Sequence, residues 1–172
     1  LEMDEGRKGI IIEEELELRE EDMRTKVLKI VKDVTKKASL AEAHVIVAGG
    51  KGLGDIQGFQ LIHELAEVIG ASVGGTRDVV EAGWLKHEQQ IGQTGETVTP
   101  KIYFAIGISG AIQHVEGMKN SELIIAINKD PNAPIFDVAT YGLVGDALDI
   151  VPKLIKQFKE LSKEKGGEMS YV

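Results

Sequence analysis

The chain has 172 residues, the length of one folded domain with a sizeable core. Its 20 basic and 28 acidic residues give a formal charge of −8, which argues against a nucleic-acid groove or an anionic membrane surface as the main partner. Cysteine is absent, which excludes disulfides, thiolate nucleophiles and iron–sulfur clusters.

The first 40 residues differ in composition from the rest. Acidic residues crowd the stretch from Glu13 to Asp22, which is typical of a solvated face or a linker. Ile10 to Leu18 predicts a strand, and apolar residues at helical spacing from Val27 to Val34 predict a helix. The start, Leu1–Glu5, lacks the apolar region of a secretory signal, and no run of about 18 apolar residues predicts membrane insertion.

From residue 43 onward, short apolar runs alternate with helical periodicity. The predicted strands are His44–Ala48, Ala71–Val73, Gln89–Gln93, Lys101–Ile108, Glu122–Asn128 and Ile135–Val138. The predicted helices are Phe59–Ile69 ending at Gly70, a short one capped by Thr76 and running through Ala82, Ser109–Met118, and a last stretch from Leu148 to Leu161 that Pro152 should break. This alternation predicts an α/β fold with a mostly parallel sheet and right-handed crossovers.

Ligands of such sheets bind outside the carboxyl ends of the strands, so the loops after Ala48, Val73, Ile108 and Asn128 are the candidate site. The Gly-rich loop 49–54 either exposes N–H groups to a phosphate or is only a tight turn. It matches neither G-x-G-x-x-G nor a Walker A loop.

Each polar residue near these strand ends has a functional and a structural interpretation. Ser109 begins a predicted helix whose N-terminus suits an anion, or it only caps that helix. His114, about one turn further on, is either a ligand contact or a core histidine. Arg77 is a pocket cation or a surface ion pair, and Asp146 is a site residue or a helix cap. Together the Arg, His, Thr, Gln, Ser and Asn side chains suit the binding of a large polar ligand more than acid–base catalysis.

Several motifs resemble one family closely. They are AGGKGLGDIQGFQLIHELAE, GGTRDVVEAGW, HEQQIGQTGETVTP, KIYFAIGISGAIQHVEGM and IIAINKDPNAPIFDVATYGLVGD. In this order they resemble the C-terminal FAD-binding domain of electron transfer flavoprotein alpha subunits. The resemblance implies a doubly wound, DHS-like FAD/NAD-binding (Rossmann-like) domain over residues 41–172. Residues 1–40 are then a linking strand and helix from the end of an N-terminal domain.

The resemblance also implies a set of FAD contacts. Arg77 matches an arginine near the flavin N5 edge, Thr94 a threonine whose hydroxyl faces N5, and His114 a histidine at the pyrimidine carbonyl. The implied cofactor-binding residues are Lys51, Thr76, Arg77, Ile91, Gly92, Gln93, Thr94, Ser109, Gly110, Ala111, Ile112, Gln113, His114, Asn128 and Asp146. Lys51 departs from the family, which commonly has arginine there, and Glu96 stands where the family commonly has lysine.

The implied function is that of an electron carrier rather than an enzyme, with one noncovalent FAD and no catalytic or metal-ligating residue. The implied partners are the beta subunit of the carrier, flavin dehydrogenases such as acyl-CoA dehydrogenases, and a quinone-linked or other acceptor. A bifurcating, NADH-linked flavoprotein and a nicotinamide-dependent oxidoreductase are the alternatives. The expected location is the cytoplasm of a prokaryote or the mitochondrial matrix of a eukaryote.

Overall fold

The computed structural model describes residues 40–164, so the strand and helix predicted before residue 39 lie outside the described residues. The fold is an α/β sandwich around one five-stranded sheet in the order β2-β1-β3-β4-β5, with every neighbouring pair parallel. The strands are β1 (Val45–Gly49), β2 (Ser72–Gly75), β3 (Ile102–Ile106), β4 (Leu123–Asn128) and β5 (Tyr141–Val144). The helices are α1 (Ile56–Ile69), α2 (Arg77–Glu81), α3 (Ile112–Val115) and α4 (Ala147–Glu164). The predicted fold class is confirmed.

The central strands bury both of their faces, which explains their continuous apolar sequences. Because side chains alternate along a strand, Val47 and Phe104 join the core under α1 and α4. Ile46 and Tyr103 join a second core on the opposite face. That second face is covered mainly by short helical turns and loops rather than by long helices.

Helix α1 begins three residues before the predicted Phe59 and ends at the predicted Gly70. The Asp55 carboxylate accepts from the N–H groups of Gln57 and Gly58 at 2.9 and 2.8 Å, which satisfies two donors of the first turn. Gly70 closes the helix in the left-handed conformation at φ 68°. Between these ends lies a fully buried apolar stripe that includes Phe59 and Ile62.

The predicted strand Ile135–Val138 is wrong. Residues Pro134–Asp137 form a 3₁₀ turn, and the fifth strand is Tyr141–Val144 instead. Pro134 occupies the first turn, where its missing N–H costs nothing. The Ile135 N–H donates to the Ser109 carbonyl at 3.0 Å, so this buried isoleucine belongs to the loop after β3 and not to a ladder.

The strand predicted at Gln89–Gln93 is also wrong. A 3₁₀ turn covers His87–Gln89, and Gln90 and Ile91 form only isolated bridges, to Gly75 and Glu96 respectively. The chain doubles back here, since the Glu96 N–H donates to the Gln90 carbonyl at 2.8 Å. This tight loop leaves no room for a regular ladder.

The helix predicted from Ser109 to Met118 is shorter and starts later. Helix α3 covers only Ile112–Val115, and its N-cap position is Ala111, whose side chain makes no capping bond. Gly110 precedes it at φ +91°, where its hydrogen side chain fits against the backbone of Ile135. Ser109 therefore does not cap a helix, and the helix N-terminus predicted there lies at Ala111 instead.

Helix α4 runs unbroken from Ala147 to Glu164, so the break predicted at Pro152 is wrong. Pro152 lies in the second turn of α4 and is exposed. Because proline has no N–H group, the Leu148 carbonyl loses its helical hydrogen bond on an exposed part of the helix. Val151 and Ile155 on either side are buried in the core under the sheet. Their packing outweighs the lost hydrogen bond. Among residues 40–164 no helix is both long and apolar enough to cross a membrane.

Replacing Pro152 with alanine should stabilise the domain by roughly 1–3 kcal/mol, because alanine restores the backbone donor and removes the ring clash. Denaturant unfolding monitored by circular dichroism measures this change. The neighbouring exposed Lys153→Ala substitution is the control and should change the free energy of unfolding by less than about 0.5 kcal/mol. Equal stability of Pro152→Ala and the parent chain would contradict this account of α4.

Candidate functional site

A cleft opens at the carboxyl ends of the strands, at the point where the strand order reverses. After β1 the chain forms β2 on one side of β1, and it then crosses over to form β3 on the other side. Ligands of open α/β sheets bind at such a switch point. The cleft has a volume of about 300 Å³. Its lining residues are Gly50, Lys51, Gly52, Thr76, Asp78, Gly107, Ile108, Ser109, Asn128, Asp130, Ala133 and Pro134. All four predicted loops contribute to this lining, and their role in ligand binding stays a prediction.

The floor of the cleft is a direct contact between two backbones. Gly50 N–H donates to the Ile106 carbonyl at 3.0 Å, and Gly52 N–H donates to the Gly107 carbonyl at 2.9 Å. A Cβ on Gly50 or Gly52 would lie 2.4 or 2.7 Å from the Gly107 oxygen, which is closer than real Cβ atoms approach. Glycine is therefore required at both positions by this close approach.

The same bonds change the role predicted for the Gly-rich loop. The N–H groups of Gly50 and Gly52 are used by β3 and its loop, and those of Leu53 and Gly54 bond within the loop itself. The prediction that such N–H groups face a phosphate is wrong for these four residues. The loop presents a side chain to the cleft instead, that of Lys51.

Two polar groups in the cleft have the chemistry of ligand contacts. The Lys51 ammonium lies 4.2 Å from the centre of the Trp84 ring, a cation–π contact that places a positive charge at the cleft. The Thr76 Oγ1 atom is buried and has no hydrogen-bond partner, although Thr76 occupies the predicted N-cap position of α2. An unpaired buried hydroxyl costs about 1–3 kcal/mol, a cost that a ligand acceptor or donor would remove.

Asn128 connects two of the loops. Its Nδ2 donates to the Ile108 carbonyl at 2.8 Å, and its Oδ1 accepts from the Asp130 N–H at 3.0 Å. This bridge holds the loop after β4 against the end of β3. Asn128 therefore shapes the cleft, and both ends of its side-chain amide are engaged by the protein.

Two carboxylates in the cleft were missed by the sequence analysis. Asp78 lies in the first turn of α2, and Asp130 lies two residues beyond the end of β4. Their nearness to strand ends was the signal that could have found them. They place two negative charges against the one positive charge of Lys51, so the lining offers an anion little net attraction.

A second group of predicted residues lies outside the cleft lining. Gln93 N–H donates to the Gln113 carbonyl at 2.7 Å, which holds the loop containing Thr94 against α3. A Cβ on Gly92 would lie 2.7 Å from the same carbonyl, so the two segments touch. This group contains the predicted residues Ile91, Gly92, Gln93, Thr94, Gln113 and His114.

His114 is buried, and the protein uses both of its ring nitrogens. Nδ1 lies 2.9 Å from the Ile91 carbonyl, which only accepts, so Nδ1 carries the proton. Nε2 therefore accepts from the Tyr103 hydroxyl at 3.0 Å. Burial lowers the pKa of His114 to about 4, more than the Ile91 hydrogen bond raises it, and burial raises the pKa of Tyr103 well above its usual value. The histidine is neutral and acts as a link between β3 and the loop at Ile91.

The two charged residues at the edges of the predicted site show structural interactions. Arg77 Nε donates to the Glu81 carboxylate at 2.7 Å, and the two side chains are 66% and 58% exposed. Asp146 Oδ1 accepts from the Leu148 N–H at 2.8 Å near the start of α4. Both contacts match the structural alternatives that the sequence left open, and the role of either residue toward a cofactor stays a prediction.

The comparison with protein families decides what kind of domain this is. Residues 39–119 match the model of the electron transfer flavoprotein FAD-binding domain. This chain contains an electron transfer flavoprotein FAD-binding domain. All residues of the second group and eight of the twelve residues that line the cleft fall within the matched segment.

Curated relatives agree with the family model. The electron transfer flavoprotein alpha subunit of Thermoanaerobacterium thermosaccharolyticum is 51% identical over 158 residues, 92% of this chain and 48% of the relative. That of Bacillus subtilis strain 168 is 49% identical over 161 residues, 94% of this chain and 49% of the relative. The acryloyl-CoA reductase electron transfer subunit beta of Anaerotignum propionicum is 50% identical over 153 residues, 87% of this chain and 42% of the relative. The chain thus spans about half the length of these relatives.

The residues of the cleft fit part of an FAD molecule. An adenine dinucleotide needs hydrogen-bond donors and a cation at its diphosphate, and the unpaired Thr76 hydroxyl, the exposed Ser109 and the Lys51 ammonium are available there. The cleft volume is at the small end of ligand sites, which suits one portion of a dinucleotide.

Burial of neutral His114 should make the domain less stable in acid. The folded pKa of about 4 lies below the ordinary value of 6.5, so the unfolded chain binds the extra proton first as the pH falls. His114 should thus lower the free energy of unfolding by up to about 3 kcal/mol between pH 6.5 and 4. Unfolding of the parent chain and of His114→Gln across this range measures the difference.

The His114→Gln variant should be less stable than the parent chain at pH 7. Its free energy of unfolding should fall less than that of the parent as the pH is lowered. The exposed His87→Gln substitution is the matched control and should follow the parent curve. Parallel curves for His114→Gln and the parent would show that folding does not lower the pKa of His114, which would contradict this account.

Proposed function

We propose that this chain binds FAD and serves as the cofactor-holding half of an electron carrier. The observation that supports this most strongly is the buried, unpartnered Thr76 hydroxyl, which shares the switch-point cleft with the Lys51 ammonium. Such a hydroxyl is unfavourable without a ligand, and a diphosphate oxygen can accept its hydrogen. The domain family supplies the identity of the ligand.

The diphosphate is proposed to lie in the cleft, held by Lys51, Thr76 and Ser109. Its attraction to Lys51 must overcome repulsion by Asp78 and Asp130, so hydrogen bonds from the hydroxyls should contribute much of the affinity. Lysine acts here as a point charge and not as a bidentate fork. Its cation–π contact with Trp84 keeps that charge at the cleft before the ligand arrives.

The flavin ring is proposed to lie along the second group of residues, where Thr94 and Gln93 are exposed and the loop is anchored to α3. Arg77 is available to this ring, because its exposed ion pair with Glu81 is worth only about 0–1 kcal/mol. The adenosine portion would then extend toward Asn128 and Asp146. FAD, when bound, supplies the redox chemistry by taking up and releasing electrons.

The chain's own residues are proposed to bind and orient the cofactor and to limit its access to water, without catalysing a reaction. His114 is neutral and held at both nitrogens, so it is poorly placed to shuttle protons. In the part of the chain that the structure describes, no cluster of three or more metal-binding side chains occurs. The neutral, doubly bonded His114 suits a role in holding the site together more than acid–base catalysis.

The partners are proposed from the relatives. Because this chain corresponds to about half of each alpha subunit, we propose that it works with a beta subunit of an electron transfer flavoprotein. The relative named as an electron transfer subunit of acryloyl-CoA reductase supports a flavin enzyme acting on acyl-CoA compounds as the electron-exchange partner. The downstream acceptor is proposed to be quinone-linked or another redox protein.

Titration of the purified apo chain with FAD and with FMN tests the proposed cofactor. The proposed site spans the adenosine side as well as the flavin side, so FAD should bind at least about tenfold more tightly than FMN. Isothermal calorimetry at constant salt gives both dissociation constants. Equal constants would mean that the cleft does not recognise the diphosphate and adenosine, and no binding of either flavin would overturn the proposed function.

Thr76→Val should separate the stability of the apo domain from its cofactor affinity. Valine keeps the shape of threonine and removes the unpaired hydroxyl, so the apo domain should gain about 1 kcal/mol of stability. FAD affinity should fall about tenfold or more, since a bond to a charged phosphate is lost. Thr76→Ser keeps the hydroxyl and is the control, with affinity close to that of the parent.

Unfolding curves and calorimetric titrations of the three proteins measure these two effects. Loss of stability in Thr76→Val would show that the hydroxyl has a partner within the protein. Unchanged FAD affinity in the same variant would place the diphosphate elsewhere.

A further inference from the structure

The loop from Gln90 to Glu96 is closed at its neck by backbone hydrogen bonds. Glu96 N–H donates to the Gln90 carbonyl at 2.8 Å, and Gly92 N–H donates to the Glu96 carbonyl at 3.2 Å. Inside the loop, Gly95 N–H donates to the Gly92 carbonyl at 3.0 Å, which forms the tight turn that carries Thr94. Thr94 thus lies at an exposed tip whose base is fixed.

A buried amide reaches across this loop to the tip. The side chain of Gln90 is only 4% exposed, and its Nε2 donates to the Thr94 Oγ1 at 3.0 Å. The backbone of Gln90 is itself held, since its N–H donates to the His87 carbonyl at 3.0 Å and it bridges to Gly75 at the end of β2. The backbone of Gln90 is therefore held by the edge of the sheet and by the preceding 3₁₀ turn as well as by the neck of the loop.

The direction of this hydrogen bond determines what Thr94 offers to a ligand. A hydroxyl carries one hydrogen and two lone pairs, and the Gln90 amide occupies one lone pair. The hydroxyl hydrogen then cannot point back toward Gln90. It is left free to point away from the loop, where it can be donated.

We propose that Gln90 is a positioning residue that sets Thr94 as a hydrogen-bond donor toward an acceptor atom of the FAD ring system. This inference rests on the proposed function, because it takes the loop 90–96 as part of the flavin surface. Sequence analysis placed Thr94 in the site and left Gln90 out. The signal for Gln90 is its buried amide, which only the structure shows.

A purely structural role explains the contact less well. The adjacent Gln89 shows what a structural amide does here, since its Nε2 donates to the Val73 carbonyl at 3.2 Å and satisfies a strand acceptor. The hydroxyl of the exposed Thr94, in contrast, can be satisfied by water. The hydrogen bond from the buried Gln90 amide to Thr94 therefore adds little stability, but it fixes the direction of the Thr94 hydroxyl.

The first test uses the apo chain and reads the bond directly. In a ¹⁵N–¹H correlation spectrum, the side-chain NH₂ group of Gln90 should have one proton shifted downfield and slowed in exchange with water. Thr94→Val should remove both signatures, and Thr94→Ser should keep them. A Gln90 signal that is the same in Thr94→Val as in the parent would overturn the proposal without involving FAD.

The second test measures FAD affinity in a double-mutant cycle. Gln90→Glu keeps the shape but replaces the donor with an acceptor, so the Thr94 hydroxyl should turn inward and donate to the introduced carboxylate in place of the ligand. FAD affinity should fall about tenfold or more in the parent background. On the Thr94→Val background the same change should cost less, and what remains measures the added negative charge alone.

Gln90→Met and Gln89→Met form a matched pair, because each removes one partly or fully buried amide. Gln90→Met should weaken FAD binding in the parent and have little further effect on the Thr94→Val background. Gln89→Met should show no such coupling to Thr94, and unfolding curves establish that each variant is folded. If the parent binds FAD and the Gln90 and Thr94 effects simply add, the inference is wrong while the proposed function stands; if the parent binds no FAD, the proposed function itself fails.

Discussion

The contact between the backbones of the loops after β1 and β3 is the constraint on which the rest of this site depends. When two neighbouring parallel strands are followed by loops that run to opposite sides of the sheet, a crevice remains between those loops. Here glycines at positions 50 and 52 let the first loop lie directly on Gly107. The crevice is therefore sealed at its base by peptide groups and open only toward the solvent.

Sealing the base has a consequence for the ligand chemistry. Many dinucleotide sites present backbone N–H groups to phosphates, but here the N–H groups of Gly50 and Gly52 are used to join the loops. The Gly-rich loop therefore presents the Lys51 side chain to the cleft rather than these two N–H groups. In the proposed diphosphate site, the side chains of Lys51, Thr76 and Ser109 have two acidic side chains nearby, so modest sequence changes here should alter FAD affinity strongly.

Strand β3 contacts both the cleft and the loop 90–96, one through its carboxyl end and the other through a side chain near its start. Its carboxyl end receives the Gly-rich loop through Ile106, whereas Tyr103, near its start, bonds His114 on the face opposite α1. Tyr103 bonds His114, and His114 in turn bonds the carbonyl of Ile91 in the loop 90–96. One strand thus sets the relative positions of the cleft and of the loop around Thr94.

Much of the fold was predictable because apolar runs and glycine signals are local. The strands β1, β3 and β4 and the helix α1 follow from apolar periodicity, and Gly70 marks the end of α1. The errors at Ile135 and Pro152 have one cause, since tertiary contacts outweighed local preference. The Ile135 N–H donates to the Ser109 carbonyl and not to a strand. The burial of Val151 and Ile155 in the core keeps α4 continuous despite Pro152. The cleft was predictable from the strand ends, whereas the bonds of Gln90 and Tyr103 join residues whose pairing no local pattern reveals.

Trp84 gives the domain an optical property. It is the only tryptophan of the chain, and it lies beneath the ammonium of Lys51, with the Phe59 ring 5.8 Å from its own. Emission excited at long ultraviolet wavelengths therefore comes from one indole beside the Gly-rich loop. Any event that withdraws the charge of Lys51 changes the electric field at that indole and with it the colour and yield of the emission. The domain carries its own label-free reporter at the edge of the cleft.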